Sequence, residues 1–360
     1  MDAMLDPTAL QTLWFAIIAF FFTGYFVLEG FDFGVQMNVA ALGRGSTARR
    51  GTILRTIGPV WDGNEVWVIT GGAAIFAAFP EWYATLFSGF YLALLLLLLV
   101  LIVRVCAFKY RDKQDSPRWK NSWDVIHVIG GFAPALLWGV AFSNIVAGVG
   151  IDRNHWVTTS LLGLLNPFAL LGGLTFVLLF WLHGTLYLTL KTEGELREDA
   201  HRLAGILVWP TIVVGAAYLL WFQLAHSHQA WTWASIAVAA LALIAVVPLA
   251  RMRREGWAFA ATSLAIAAAA ITLFGGLFPF VMPASNDLAN SLTVANASST
   301  ATTLTVMTWA FVIIMPLVLA YQGWTYWVFR HRVSGDEGPV PGSGLVEKAR
   351  RGYRQAFEQD

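Results

Sequence analysis

Residues 58–79 open as Gly58-Pro59-Val60-Trp61-Asp62-Gly63-Asn64-Glu65-Val66-Trp67 and run on through Gly71-Gly72-Ala73 to Phe79. Whether this stretch crosses a membrane decides the topology of the chain. Its second half is apolar, but Asp62, Asn64 and Glu65 interrupt the first, so a hydropathy window alone drops it. Reading apolar stretches between polar breaks predicts nine spans, at about 10–42, 48–79, 82–108, 122–147, 157–190, 203–225, 232–250, 256–279 and 302–329.

Charge settles the second of these. With nine spans, one set of connections carries Arg44, Arg49, Arg50 and Arg55, then Lys109, Arg111, Lys113, Arg118 and Lys120, then Lys191, Arg197 and Arg202, then Arg251, Arg253 and Arg254. The tail from Arg330 joins that side. The alternate connections, around Pro80, Gly150, His226 to Trp231 and Pro283 to Thr303, hold one basic residue, Arg153. The positive-inside rule then places the N-terminus outside and the C-terminus in the cytoplasm. Without the second span, the Arg49/Arg50 and Lys109–Lys120 clusters fall on opposite faces.

Composition agrees. The 360 residues are 57% hydrophobic and 12% charged, against roughly 25% charged in a soluble domain, and mean hydropathy is +0.62. The chain reads as an all-α polytopic membrane protein. Residues 1–333 form one transmembrane domain, and 334–360, with Gly335, Gly338, Pro339, Pro341 and Gly342, form a flexible cytoplasmic tail. Met1 to Pro7 is acidic and precedes an apolar run too long for a signal peptide, so the first span is expected to be retained. Net charge is +1, which offers no field for nucleic acid. The lone Cys106 excludes an intrachain disulfide and cysteine-based metal centres. Tryptophans near the span ends, such as Trp82, Trp156, Trp231 and Trp257, are expected as interfacial anchors.

Four acids lie inside predicted spans: Glu29 and Asp32 in the first, Asp62 and Glu65 in the second. Each pair is spaced i, i+3 and shares a helix face. A carboxylate in hydrocarbon costs several kcal/mol unless paired, protonated or hydrated, so these acids should face the bundle interior or a water-lined cavity. For an antiparallel hairpin centred near Gly45, Glu29 and Asp62 lie level to within about 2 Å at ~1.5 Å rise per residue. Asp32 is then a turn nearer the cytoplasm and Glu65 a turn nearer the outside, with Asn64 and Thr70 as further polar groups. Crowded carboxyls in low dielectric can share protons, which suits a proton relay or a cation site; a polar cluster locking helix packing is the alternative. Gly30 and Gly34 form a small-xxx-small face for close helix approach. His127 and His183 are intramembrane but belong to no metal-ligand constellation, and His226 and His228 read as solvated. No catalytic residue, phosphate loop, dinucleotide fingerprint or nucleophile elbow is present.

Several stretches resemble the second subunit of cytochrome bd quinol oxidases: Leu28-Glu29-Gly30-Phe31-Asp32-Phe33-Gly34-Val35, the Trp61-Asp62-Gly63-Asn64 block, Arg118-Trp119-Lys120-Asn121-Ser122-Trp123-Asp124, Leu165-Asn166-Pro167-Phe168, and Phe278-Pro279-Phe280-Val281-Met282-Pro283. The resemblance implies nine helices in two four-helix bundles plus a peripheral helix. It also implies a heterodimer with subunit I, which holds haem b, haem d and the quinol-oxidising loop, in a complex of the bacterial cytoplasmic membrane that reduces dioxygen to water. It assigns no haem or metal to this chain and allows for a structural quinone and small accessory subunits. Asp32 and Asp62 match positions associated with a proton path, with Glu29, Asn64 and Glu65 beside them. Glu29 stands where many relatives carry Asp, and some carry Gln at the Glu65 position. The rival reading is a self-contained proton- or cation-coupled transporter, since buried acids and glycine-broken helices also mark transport sites.

Overall fold

A computed structural model describes residues 6–227 and 229–333; the expected tail, 334–360, and His228 lie outside the described residues. Helix α1 spans Ala9–Ala41. Thr8 starts it with a capping box: its hydroxyl accepts from the Gln11 backbone while the Gln11 side chain accepts from the Thr8 N–H. The second predicted span is not one helix. It is a short α2, Thr47–Arg55, followed by a turn over 56–60 and then α3, Trp61–Ala78. Pro59 has no N–H to donate and biases Gly58 away from helical geometry, so the chain turns there. Backbone bonds from Gly58 to Leu54 and from Trp61 to Ile57 close the turn.

The third predicted span likewise divides, into α4 (Pro80–Gly89) and α5 (Tyr91–Tyr110). The rest follow the sequence reading in number and order: α6 (Pro117–Ala147), α7 (Pro167–Lys191), α8 (Gly194–Ala225), α9 (Thr232–Arg251), α10 (Glu255–Leu277) and α11 (Ala301–Val328), although α7 starts ten residues later and α8 nine residues earlier than read. Asn166 caps α7, with Pro167 at its first position, and Thr300 caps α11. Eight of these helices, α1 and α5 to α11, are long and apolar enough to cross a membrane. At 18 residues, α3 reaches only about 27 Å, and its polar first turns lower its hydropathy.

Helix α1 lies at the centre, packed on α3, α6, α7 and α10. An aromatic core surrounds it: the Phe26 ring lies 5.0 Å from Phe142 and 5.1 Å from Phe176, and Phe22 lies 5.3 Å from Phe142. The close approach expected of the Gly34 face occurs against α7. A β-carbon on Gly34 would fall 1.9 Å from the Phe180 carbonyl oxygen, and one on Gly184 would fall 2.3 Å from the Val35 nitrogen. Neither helix could keep this separation with any larger residue. Helices α7 to α10 enclose an apolar cavity of about 210 Å³ lined by Phe176, Tyr218, Ile236, Leu243 and Leu273.

Three expectations need correction. The molecule is not purely helical: β1 (Phe280–Met282) and β2 (Leu292–Thr293) pair antiparallel in the connection before α11, where Val149 bonds to Pro283 and Ser285 bonds back to Val149. That loop folds because its Ser and Asn side chains bond to the backbone, as Ser291 does to Ala284 and Asn296 to Thr293. Trp82 is 2% exposed and belongs to the core rather than to an interfacial belt. His226 is half-buried, with its ring 4.6 Å from that of Phe168, and burial pushes its imidazole below the usual range.

The basic end of the molecule is tied by ion pairs. Glu255 accepts from Arg197 (2.6 Å), His201 (2.7 Å) and Arg332 (2.5 Å), and Asp124 accepts from Arg111 (2.5 Å) and pairs with Arg50 (3.2 Å). These contacts join α2, α6, α8, α10 and the residues after α11.

Candidate functional site

Glu29 and Asp32 occupy one face of α1, and neither has any exposed surface. The group that answers them is Arg104 of α5, also fully buried. Its Nη1 pairs with Glu29 and lies 3.4 Å from Glu65 of α3, while its Nε donates to Gln36 Oε1 at 2.7 Å. Gln36 in turn donates through Nε2 to His127 Nδ1 at 2.9 Å. The guanidinium lies over the Phe33 ring at 4.9 Å and the Phe108 ring at 5.6 Å, which closes the cluster with apolar walls.

On the other side, Asn64 of α3 donates to Asp32 Oδ2 at 2.7 Å and to the Leu28 carbonyl at 3.2 Å. Its own oxygen accepts from Tyr326 (2.6 Å) and Gln322 (3.3 Å), both on α11. Three carboxyls thus surround a single guanidinium. If all ionise, the cluster carries two uncompensated negative charges away from water, which is unfavourable by several kcal/mol per charge. Bound protons remove that imbalance. Asp32 Oδ1 is buried with no hydrogen-bond donor to it, and the Asp32 and Glu29 carboxyls lie within hydrogen-bond reach of each other, the arrangement in which two carboxyls share a proton.

The residues singled out from sequence therefore divide. Glu29, Asp32, Asn64 and Glu65 are brought together. Asp62 is not: it lies on the exposed face of α3, and its side chain makes no hydrogen bond or ion pair among the described residues. The hairpin estimate came close in depth, since Asn64 meets both Leu28 and Asp32. It misjudged rotation about the helix axis, which the turn over 56–60 resets. Sequence reasoning missed Arg104, Gln36, Tyr326 and Gln322. The one available signal was a lone arginine in the run Leu94–Phe108; five residues from Lys109, it reads equally well as a side chain snorkelling to the surface.

The two intramembrane histidines are held differently. His183 commits Nδ1 to Thr262 (2.6 Å) and Nε2 to the Val27 carbonyl (3.1 Å), and it stacks on Phe259 at 4.4 Å. His127 uses Nδ1 on Gln36, and its ring is fully enclosed beside Phe108. Among the described residues no three His, Cys, Asp or Glu side chains are arranged to hold a metal ion.

Fold and site together define a multi-pass helical membrane protein with a buried ionisable cluster held between α1, α3 and α5. The sequence pattern of cytochrome bd terminal oxidase subunit II matches residues 10–329, and the chain belongs to that family. It is 39% identical over 336 residues to cytochrome bd ubiquinol oxidase subunit 2 of Bacillus subtilis (strain 168), covering 91% of this chain and 98% of that one. It is 35% identical over 371 residues to cytochrome bd-I ubiquinol oxidase subunit 2 of Escherichia coli (strain K12), covering 93% and 98%. The fold matches a chain of the solved bd oxidase from Geobacillus thermodenitrificans with a TM-score of 0.73 at 18% identity, over 89% of this chain and 99% of that one. The chain is thus a subunit of a terminal oxidase, an oxidoreductase complex, and the transporter reading is not favoured.

Proposed function

We propose that this chain is the non-haem subunit of a quinol-oxidising, dioxygen-reducing complex of the bacterial cytoplasmic membrane, and that its buried acids deliver cytoplasmic protons to a haem-bearing subunit I. The observation that carries the reading is the excess of carboxyls over cations in the cluster of Glu29, Asp32, Glu65 and Arg104. Such a cluster takes up and releases protons with little rearrangement, because the guanidinium can answer whichever carboxyl is ionised. Asp62, on the open face of α3, is where the path meets the partner, with Glu65 one turn on and Arg104 behind it. A carboxyl on a membrane-level surface is better covered by protein than by lipid, so this face of α3 meets subunit I. Haem b and haem d belong to that partner.

In this reading α3 is the ninth span, α1, α3, α5 and α6 form one bundle, α7 to α10 form the second, and α11 is peripheral. The N-terminus is outside. Thiol labelling of single cysteines at Arg49, Lys113, Arg197 and Arg253 should report cytoplasm, and at Pro80, Gly150 and Asn290 the outside. An outside signal at Arg49 would remove α3 as a span.

Purification tests the assignment as a whole. The chain should copurify with a second membrane protein and with haem absorbance, and His127→Ala and His183→Ala should leave every haem band in place. A colourless, self-sufficient chain, or loss of one band from an otherwise assembled complex, would overturn it.

A further inference from the structure

Helix α11 is the least buried of the long helices: only Leu304 and Met315 are buried along its length. Packing alone holds it weakly, and polar contacts tether it. At one end Trp14 Nε1 donates to the Leu304 carbonyl (3.1 Å) and the Thr308 hydroxyl (3.0 Å). At the other end α7 and α11 cap each other. Lys191 donates to the carbonyls of Phe329 and His331, while Arg332 donates to those of Thr189 (3.1 Å) and Thr192 (2.6 Å). Between these ends, level with the acid cluster, Tyr326 and Gln322 reach Asn64.

The polarity of these bonds is over-determined. An indole N–H can only donate, so Trp67 Nε1, 2.8 Å from Gln322 Oε1, fixes which end of the Gln322 amide faces it. The Gln322 NH2 group then points at Asn64, which must present its oxygen, and the Tyr326 hydroxyl donates to the same oxygen. The Asn64 NH2 group is left facing Asp32 Oδ2. Because that partner only donates, it favours Oδ2 as the unprotonated, accepting oxygen, and a proton on Asp32 is better placed on Oδ1. We infer that Tyr326 and Gln322 of α11 are positioning residues of the buried acid site: together with the Leu28 carbonyl, which accepts from the other end of the amide, they hold Asn64 in the orientation that favours Asp32 Oδ1 as the protonated oxygen. A helix that only needed a tether would accept bonds of either polarity here.

The inference rests on the proton-delivery reading for its effect on turnover, but not for its effect on Asp32 itself. The groups that face Asp32 are Glu29 on α1, Asn64 and Glu65 on α3, Arg104 on α5, Tyr187 on α7, and Tyr326. The test uses the assembled complex and reads redox-difference infrared bands of protonated carboxyls together with turnover against pH. Tyr326→Phe keeps the ring against Phe31, so assembly and the KM for quinol should hold. Losing one neutral hydrogen bond should lower turnover about fivefold and displace the pH profile. The carboxyl C=O band that Asp32→Asn abolishes should shift. Gln322→Met should shift the same band and serves alone should the Tyr326 variant fail to assemble. Because Tyr326 acts through Asn64, adding Tyr326→Phe to Asn64→Ala should change nothing further. An unmoved band in both α11 variants, or additive effects in the double variant, overturns the inference. If the band shifts while Asp32→Asn turns over normally, the positioning role stands and the proton-delivery reading falls.

Discussion

Asp32→Asn should lower quinol-driven oxygen consumption of the assembled complex by about tenfold or more, equivalent to ~1.4 kcal/mol or more on a rate-limiting barrier. The substitution preserves shape and most of the hydrogen bonding. Asp32 is fully enclosed and already receives a bond from Asn64, and the added amide can donate to Glu29, so helix packing is retained. What disappears is the proton that Asp32 and Glu29 can share. A structural cluster tolerates that loss; a relay does not. Asp62→Asn should be equally severe, by a different route, since it removes the carboxyl at the open face rather than one inside the cluster. Asp62→Glu should keep more activity than Asp62→Asn, and Glu65→Gln should be milder than either Asn substitution, because Arg104 retains Glu29 as its ion-pair partner. The measurement is turnover per haem in the purified complex. Wild-type rates in both Asn variants, with normal haem content, would return the acids to a purely structural role.

The largest effect on stability should come from Arg104→Met. Methionine fills much of the space between Phe33 and Phe108 but leaves Glu29, Asp32 and Glu65 with no cation and Gln36 without its donor. Removing one partner from a buried ion pair typically costs about 3–5 kcal/mol. The expected result is a marked fall in thermal midpoint and in haem retained through purification. Arg104→Lys should fall between the two, because an ammonium cannot reproduce the fork that serves Gln36 through Nε and the acids through Nη1. Neutralising Glu29 as well, in Arg104→Met with Glu29→Gln, should recover part of the loss, since fewer buried acids then need an answer. If Arg104→Met matched the unaltered complex in midpoint and haem content, the guanidinium would not be the counter-charge of this site.

Much was decided by the amino-acid order alone. The helical membrane architecture follows from apolar runs whose connections carry Lys and Arg on alternate sides, and that asymmetry depends only on the chain. The burial of Glu29 and Asp32 was also legible, because an acid within a long apolar helix has nowhere stable to sit except against other polar groups. The tertiary structure decided the rest. It brought Arg104 to the acids, turned Asp62 outward while keeping Asn64 and Glu65 in, broke the second predicted helix at Gly58-Pro59, and placed Tyr326 on Asn64 across 262 residues of sequence. Helices that are apolar on nearly every side carry little periodic signal for which face points inward. Rotation about each axis is therefore set by close packing, such as Gly34 on Gly184, and by pairing of buried polar groups, and both depend on where all the other helices lie.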